Sequence, residues 1–175
     1  MNTKQLIQNC KKNDYSAQME IYHNYKNMMF CSAVRIVKSR EEAEDLVQDS
    51  FIKGFEKIHQ LKDDANLGAW LKRIVINKAL DTIRERKNIV FVDETFVLET
   101  EQANTIDEVP SEISVDFIKK CIYKLKEKYR IILILYMIED YNHREISTIL
   151  KLKESTVRNQ YKRGKDQLLK MIQKK

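Results

Sequence analysis

Residues 144–171, REISTILKLKESTVRNQYKRGKDQLLKM, constrain the fold more than any other stretch, because they prescribe two helices separated by a tight turn. The first runs over roughly residues 144–150 and places Ile146, Ile149 and Leu150 on one side. Asn142, with Glu145 three residues later, has capping-box spacing and marks where that helix begins. A four-residue turn, 151–154, leads into a longer helix. There Val157, Tyr161, Gly164 and Leu168 recur at i, i+4, i+7 and i+11, a stripe expected to pack back on the first helix. The remaining faces carry Arg158, Asn159, Lys162, Arg163 and Lys165. A helix-turn-helix with cationic and amide side chains outward is how a protein enters a DNA major groove, where Arg and Lys meet guanine edges or phosphates and Asn suits adenine. An ordinary helical hairpin with a solvated basic face satisfies the same pattern.

Three Gly and one Pro in 175 residues leave few helix breakers, so helices are expected throughout. The net charge of +6 favours a polyanionic partner, and its distribution is more telling. Residues 1–71 balance ten basic side chains against ten acidic ones. Residues 72–87 sum to +4 and residues 151–175 to +7, whereas 88–118 hold eight acidic side chains and no Lys or Arg. Two basic segments flanking an acidic connector argue for two contacts with nucleic acid.

Cys10, Cys31 and Cys121 are odd in number and far apart, which predicts buried free thiols in a reduced compartment, with neither disulfide nor zinc. The N-terminus has no apolar signal-peptide core. The longest apolar run, residues 131–138, falls well short of the ~20 residues of a membrane span. A cytoplasmic protein without membrane insertion is expected.

Along the chain, the pattern predicts a short helix over residues 3–12 using Leu6, Ile7 and Cys10. Ser16 then caps a long helix to about Val37, with Ile21, Tyr25, Met28, Met29, Ser32 and Ile36 inward. A second capping-box pattern, Ser39 with Glu42, opens a helix to about Ile58 on the stripe Ala43, Leu46, Val47, Ser50, Phe51, Gly54 and Ile58. Residues 60–66 read as a loop, and Asn66 caps a helix over 67–86 that buries some of Trp70, Leu71, Ile74, Ile76 and Leu80. Residues 88–113 read as a flexible acidic linker, although 89–92 can pack on the bundle. Ser114 or a near neighbour starts a helix with Phe117, Ile118, Cys121, Ile122 and Leu125 inward, and residues 129–138 form a buried central helix. The expected fold is all-α, an N-terminal helical bundle and a C-terminal helix-turn-helix domain joined by the acidic linker.

Asp45, Gln48, Asp49, Ile52 and Glu56 share one side of the helix over 40–58. A solvated acidic face is one reading. A metal site is a second, weakened by the lack of a helical Glu-x-x-His partner and by the scattering of His23, His59 and His143. A protein-docking face around an exposed Ile52 is the third.

Three motifs occur in order: EEAEDLVQDSFIKGFEKI, LGAWLKRIVINKALDTIRERK and LKEKYRIILILYMIEDYNHREISTILKLKESTVRNQYKRGKDQLL. Together they resemble bacterial sigma factors, most closely the small extracytoplasmic-function (ECF) type of the sigma-70 family, over about residues 16–87 and 114–172. The resemblance implies that Asp45, Gln48, Asp49 and Ile52 dock on the clamp helices of the RNA polymerase β′ subunit. It implies that the helix containing Trp70, Leu71, Ile74, Asn77, Asp81 and Arg84 opens promoter DNA and holds the −10 non-template strand. The loop before it, His59 through Lys62 to Asn66, is where that family captures a flipped base, with Lys72, Arg73, Lys78 and Arg84 supplying charge for the backbone. Core packing and helix-to-helix hydrogen bonding are the structural alternatives for Trp70 and Asn77. Thr156, Arg158, Asn159, Lys162 and Arg163 align with the family's −35-reading pattern, with Lys165 beside them. Lys151 and Ser155 stand where that pattern commonly has Gly, Lys126 where it has Pro, and Gln160 where it has Arg. A side chain at a left-handed turn costs ~1 kcal/mol.

The implied division is 1–87 for core-polymerase binding and −10 melting, 88–113 as linker, and 114–175 for −35 DNA. The implied partners are core RNA polymerase, through its β′ clamp helices and β flap, and promoter DNA. An anti-sigma factor is expected for many such proteins. A stand-alone helix-turn-helix regulator is the competing function, separable by duplex binding without polymerase. No nucleophile–base pair, phosphate loop or metal quartet suggests an enzyme, and no cofactor is implied.

Overall fold

The computed structural model describes residues 2–87 and 114–173; the predicted acidic linker, with residues 89–92, lies outside them. The chain divides into two compact units, Met1–Val90 and Phe91–Lys175. The described residues of the first form α1 (Thr3–Lys11), α2 (Tyr15–Val37), α3 (Arg40–Lys57), a 3-10 turn (Ile58–Gln60) and α4 (Leu67–Lys87). Those of the second form α5 (Val115–Lys124), α6 (Glu127–Met137), α7 (His143–Leu150) and α8 (Glu154–Gln173).

Local chemistry sets most helix starts. Asn2 and Gln5 make a reciprocal capping box at α1, Gln5 N–H donating to Asn2 Oδ1 at 2.9 Å. α2 starts earlier than Ser16 would place it: Asp14 is the cap, accepting the Ala17 N–H at 2.9 Å. Asn13 adopts φ 61° just before it, so the chain reverses within three residues of α1 and Asp14 reaches the cap position first. At α3 only half of the predicted box forms. Ser39 Oγ accepts the Glu42 N–H at 3.4 Å, while the Glu42 carboxylate is drawn instead into an ion pair with Arg86 of α4.

In the first unit α2 packs on α1, α3 and α4, and α3 packs on α4. The apolar stripes predicted for α1 to α3 are buried, except that Tyr25 and Met28 lie half-buried at the stripe's edge. α4 buries Leu71, Val75, Ile76, Ala79, Leu80 and Ile83, while Trp70 and Ile74 are half-buried. α4 passes close to α3 at Gly54, where a Cβ would lie 3.2 Å from Leu71 Cδ2 and 3.7 Å from Trp70 Cζ3. Cys31 departs from expectation. It lies off the inner stripe of α2 and is exposed, whereas Cys10 and Cys121 are buried. Burial, reinforced by Asp14, pushes the Cys10 thiol up to about 11 and keeps it protonated.

In the second unit Ser114 caps α5, accepting the Phe117 N–H at 3.2 Å. Every side chain of α6 from Tyr129 to Leu135 is buried, including Arg130, which is 1% exposed. Its guanidinium contacts Glu127 at 3.5 Å, and burial lowers its proton affinity. The Asn142–Glu145 capping box forms at α7 as predicted, with N–H donations of 2.8 and 2.9 Å. Lys151 takes the left-handed conformation (φ 56°, ψ 43°) at the C-terminus of α7, its backbone N–H donating to Ser147 C=O. The stripe on α8 packs differently from the prediction. Gly164 abuts Tyr129 and Leu133 of α6, and Leu168 and Ile172 join a core with Cys121, Ile122 and Leu125. An eight-residue α7 covers about 12 Å, too short to shield a helix of about 30 Å, so α5 and α6 bury the rest.

Candidate functional site

Asp45, Gln48, Asp49 and Ile52 stand together on the solvent side of α3, opposite its buried stripe. Ile52 is 60% exposed, an apolar side chain framed by carboxylates and an amide. Isolated exposed aliphatics need no explanation, but one centred on a polar stripe of a rigidly packed helix is suited to a protein contact. Asp49 is also committed within the unit: its Oδ2 accepts from Lys78 Nζ of α4 at 2.8 Å. The proposed docking face and the proposed DNA helix are thus joined by an ion pair. With Asp49 well exposed, such a pair contributes at most about 1 kcal/mol.

The −10 candidates do not all gather on one surface. Arg73, Asn77 and Arg84 recur at i, i+4 and i+11 and share a side of α4, with Asp81 among them paired to Arg84 Nη1 at 2.7 Å. Asn77 is exposed and free of the core. Lys72 and Lys78 lie to either side of that stripe and are half-buried. His59 and Lys62 are exposed on the 3-10 turn and the loop after it. Asn66 closes the loop as the predicted cap, its Oδ1 accepting the Ala69 N–H at 2.9 Å.

The same loop contains a contact that periodicity did not reveal. Asp63 accepts from Lys11 Nζ at 2.7 Å through one carboxylate oxygen and from Gln8 Nε2 at 2.9 Å through the other. Hydrogen bonds from Lys11, then Gln8, hold its carboxyl below the ordinary range. The only sequence signal was the i, i+3 spacing of Gln8 and Lys11, which any solvated helix face shares.

On α8, Arg158, Lys162 and Lys165 form one stripe at i, i+4 and i+7, and Asn159 and Arg163 form the adjoining one. Glu154, in the first turn, engages Arg158 through Nε at 3.1 Å and Nη2 at 2.5 Å, so that guanidinium is pre-positioned beside the helix N-terminus. Thr156 is 7% exposed and turned toward the interior, with little surface to offer a base. Behind this surface lies an aromatic trio: His143 stacks on Tyr136 at 4.5 Å, and Tyr161 meets the two rings at 4.9 and 4.6 Å. Burial, aided by Arg158 and opposed by Glu154, lowers the proton affinity of His143. Burial, with Tyr136 beside it, raises the pKa of Tyr161.

Among the described residues, no cluster of three His, Cys, Asp or Glu side chains could hold a metal ion, and no helix is long and apolar enough to cross a membrane.

Comparison with known proteins places both units. The family model for Sigma-70 region 2 matches residues 21–89, and that for Sigma-70, region 4 matches residues 118–168. The ECF RNA polymerase sigma factor SigW of Bacillus subtilis is 28% identical over a 183-residue alignment spanning 98% of this chain and 97% of the relative. SigM of the same organism, also an ECF RNA polymerase sigma factor, is 25% identical over 150 residues, 85% of this chain and 91% of the relative. Among solved structures, the sigma factor RpoE in complex with the anti-sigma factor NepR from Bartonella quintana superposes with a TM-score of 0.58 at 20% identity, over 89% of this chain and 96% of that one. CnrH in complex with the cytosolic domain of CnrY gives 0.58 at 16% identity, over 98% and 97%.

Proposed function

The chain belongs to the sigma-70 family as a factor of the ECF type, and from that premise we propose how its residues divide the work of binding polymerase, opening −10 DNA and reading −35 DNA. Residues 1–87 form the core-polymerase-binding and −10 unit, 88–113 the connector, and 114–175 the −35 unit. The observation that carries this reading is the matching of both region models, in order, to the two units that carry the polar α3 face and the cationic α8 face.

Asp45, Gln48, Asp49 and Ile52 dock on the β′ clamp helices, with Ile52 as the apolar centre and the polar groups meeting a basic partner helix. Arg73, Asn77 and Arg84 face the non-template strand, while His59, Lys62 and Asn66 border the loop that receives a flipped base. Lys72 and Lys78 flank that path and supply longer-range charge. On α8, Arg158, Asn159, Lys162, Arg163 and Lys165 enter the −35 major groove, and Thr156 supports the helix from within. The second unit also contacts the β flap. The protein is non-catalytic and acts in the cytoplasm with polymerase. An anti-sigma protein is a further partner, in keeping with RpoE bound to NepR. The two region matches do not favour a stand-alone regulator.

The test is binding of the purified chain to bacterial core RNA polymerase, beside an Asp45→Ala/Gln48→Ala/Asp49→Ala variant and an Asp49→Ala single variant. Tight binding by the wild type that the triple variant loses supports the docking face. Specific duplex binding without polymerase, and none to core, overturns it.

A further inference from the structure

We propose that α1 is a positioning element for the base-capturing loop, with Gln8 and Lys11 clamping Asp63 and so holding residues 62–66 in their receiving shape. This rests on the reading of that loop given above. α1 precedes the residues matched by the region 2 model, which begins at residue 21, so no part of that match accounts for it.

The clamp is built from both sides of α1. Leu6, Ile7 and Cys10 are buried and fix the helix in the core, and α1 also packs on the 3-10 turn that opens the loop. Its other side presents Gln8 and Lys11 to the loop, where each takes a different oxygen of Asp63. Hydrogen bonds to both oxygens restrict the rotation of the carboxylate. The loop ends are already anchored: Ile58 and Leu61 are buried before it, and Asn66 caps α4 after it. Between them a single backbone turn bond, Ala65 N–H to Lys62 C=O at 3.1 Å, leaves Asp63 as the tether of the middle.

Two physical consequences favour base capture. Unstacking a base costs a few kcal/mol, and a loop that must also be ordered during capture adds to that cost. The clamp orders it beforehand. Lys11 also neutralises Asp63, so the loop approaches a phosphate backbone with less repulsion from its two adjacent carboxylates, Asp63 and Asp64.

The test uses holoenzyme reconstituted from the full chain and core polymerase, on a promoter that this holoenzyme selects from a random duplex library. Single abasic sites are scanned through the −10 non-template strand, and open-complex rates are compared for the wild type, Gln8→Ala/Lys11→Ala and the charge exchange Lys11→Asp/Asp63→Lys. In the exchanged clamp Gln8 can accept from the new lysine. The wild type is expected to show one abasic position with a strong defect. The double-alanine variant is expected to open the intact promoter roughly three- to tenfold more slowly, the cost of ordering one or two groups on binding. At the abasic position it should equal the wild type, and the exchange should restore the rate on the intact promoter. Wild-type rates for the alanine variant on the intact promoter would overturn the proposal. A slowing that persists undiminished at the abasic position would also overturn it, because the clamp would then be merely structural. A wild type indifferent to every abasic site would instead remove the base-capture reading itself, and is recognised without any variant.

Discussion

Gly54 and Gly164 are both interior to long helices and buried, yet replacing each by Ala should change stability in opposite directions. The helical gain is common to both, about 0.8–1 kcal/mol in favour of Ala. The surroundings differ. At Gly54 the closest atom to a new Cβ is Leu71 Cδ2 at 3.2 Å, the tip of a side chain that can rotate away by a few tenths of an ångström. Trp70 at 3.7 Å and Ile74 at 3.8 Å become ordinary van der Waals neighbours, so Gly54→Ala should stabilise the first unit by about 0.5–1 kcal/mol. At Gly164 the closest atom is Tyr129 Cβ at 3.1 Å, bonded directly to the α6 backbone, with Leu133 Cδ1 at 3.4 Å and Cγ at 3.5 Å behind it. Relief there requires α8 and α6 to separate. Overpacking of that kind costs about 1–3 kcal/mol, so the second unit should lose up to about 2 kcal/mol. Because the chain has two units, one melting temperature would blur the comparison. Amide hydrogen exchange read peptide by peptide gives separate opening free energies for α3 and α4 and for α6 and α8. Equal protection gained in both variants would refute the argument that backbone-anchored and side-chain-tip contacts differ in compliance.

Lys126 precedes α6 with φ −56°, follows Leu125 at ψ 156°, and makes no side-chain cap bond, which is backbone suited to proline. Lys126→Pro should therefore stabilise the second unit by about 0.4–1 kcal/mol through the unfolded chain, measurable as slower exchange in α6. His143, with Tyr136, Tyr161, Arg158 and Glu154 around it, has a folded pKa below the ordinary imidazole value of about 6.5. Its stabilising effect is complete above that value and is lost as pH falls toward and through the lowered one. Urea midpoints followed by circular dichroism should show the loss, and His143→Phe, which keeps the stacking, should flatten it. Arg158→Ala should weaken transcription that depends on an intact −35 element by the equivalent of about 1–3 kcal/mol, while binding to core polymerase stays unchanged. Unchanged output from such a promoter would remove Arg158 from the reading face.

Helix placement was legible because its causes are local. The Asn142–Glu145 box and the apolar periods of α3 and α8 depend on residues within a few positions of each other. Where two caps competed, as with Asp14 and Ser16, the preceding turn decided, and periodicity carries no record of a turn. The exposed polar stripe of α3 was legible for the same reason, being the complement of a buried one, whereas its docking role is implied only by the family resemblance. By contrast, Asp63 meets Gln8 and Lys11 from 55 and 52 residues away, and Asp49 meets Lys78 from 29. A helical period states which side of a helix is apolar but not which neighbour covers it or which polar side chain faces across. Only the packing of α1 against the loop, and of α3 against α4, brought those charges within hydrogen-bond reach. Partner choice between charges is set by distance in space, and the chain's order does not encode that distance.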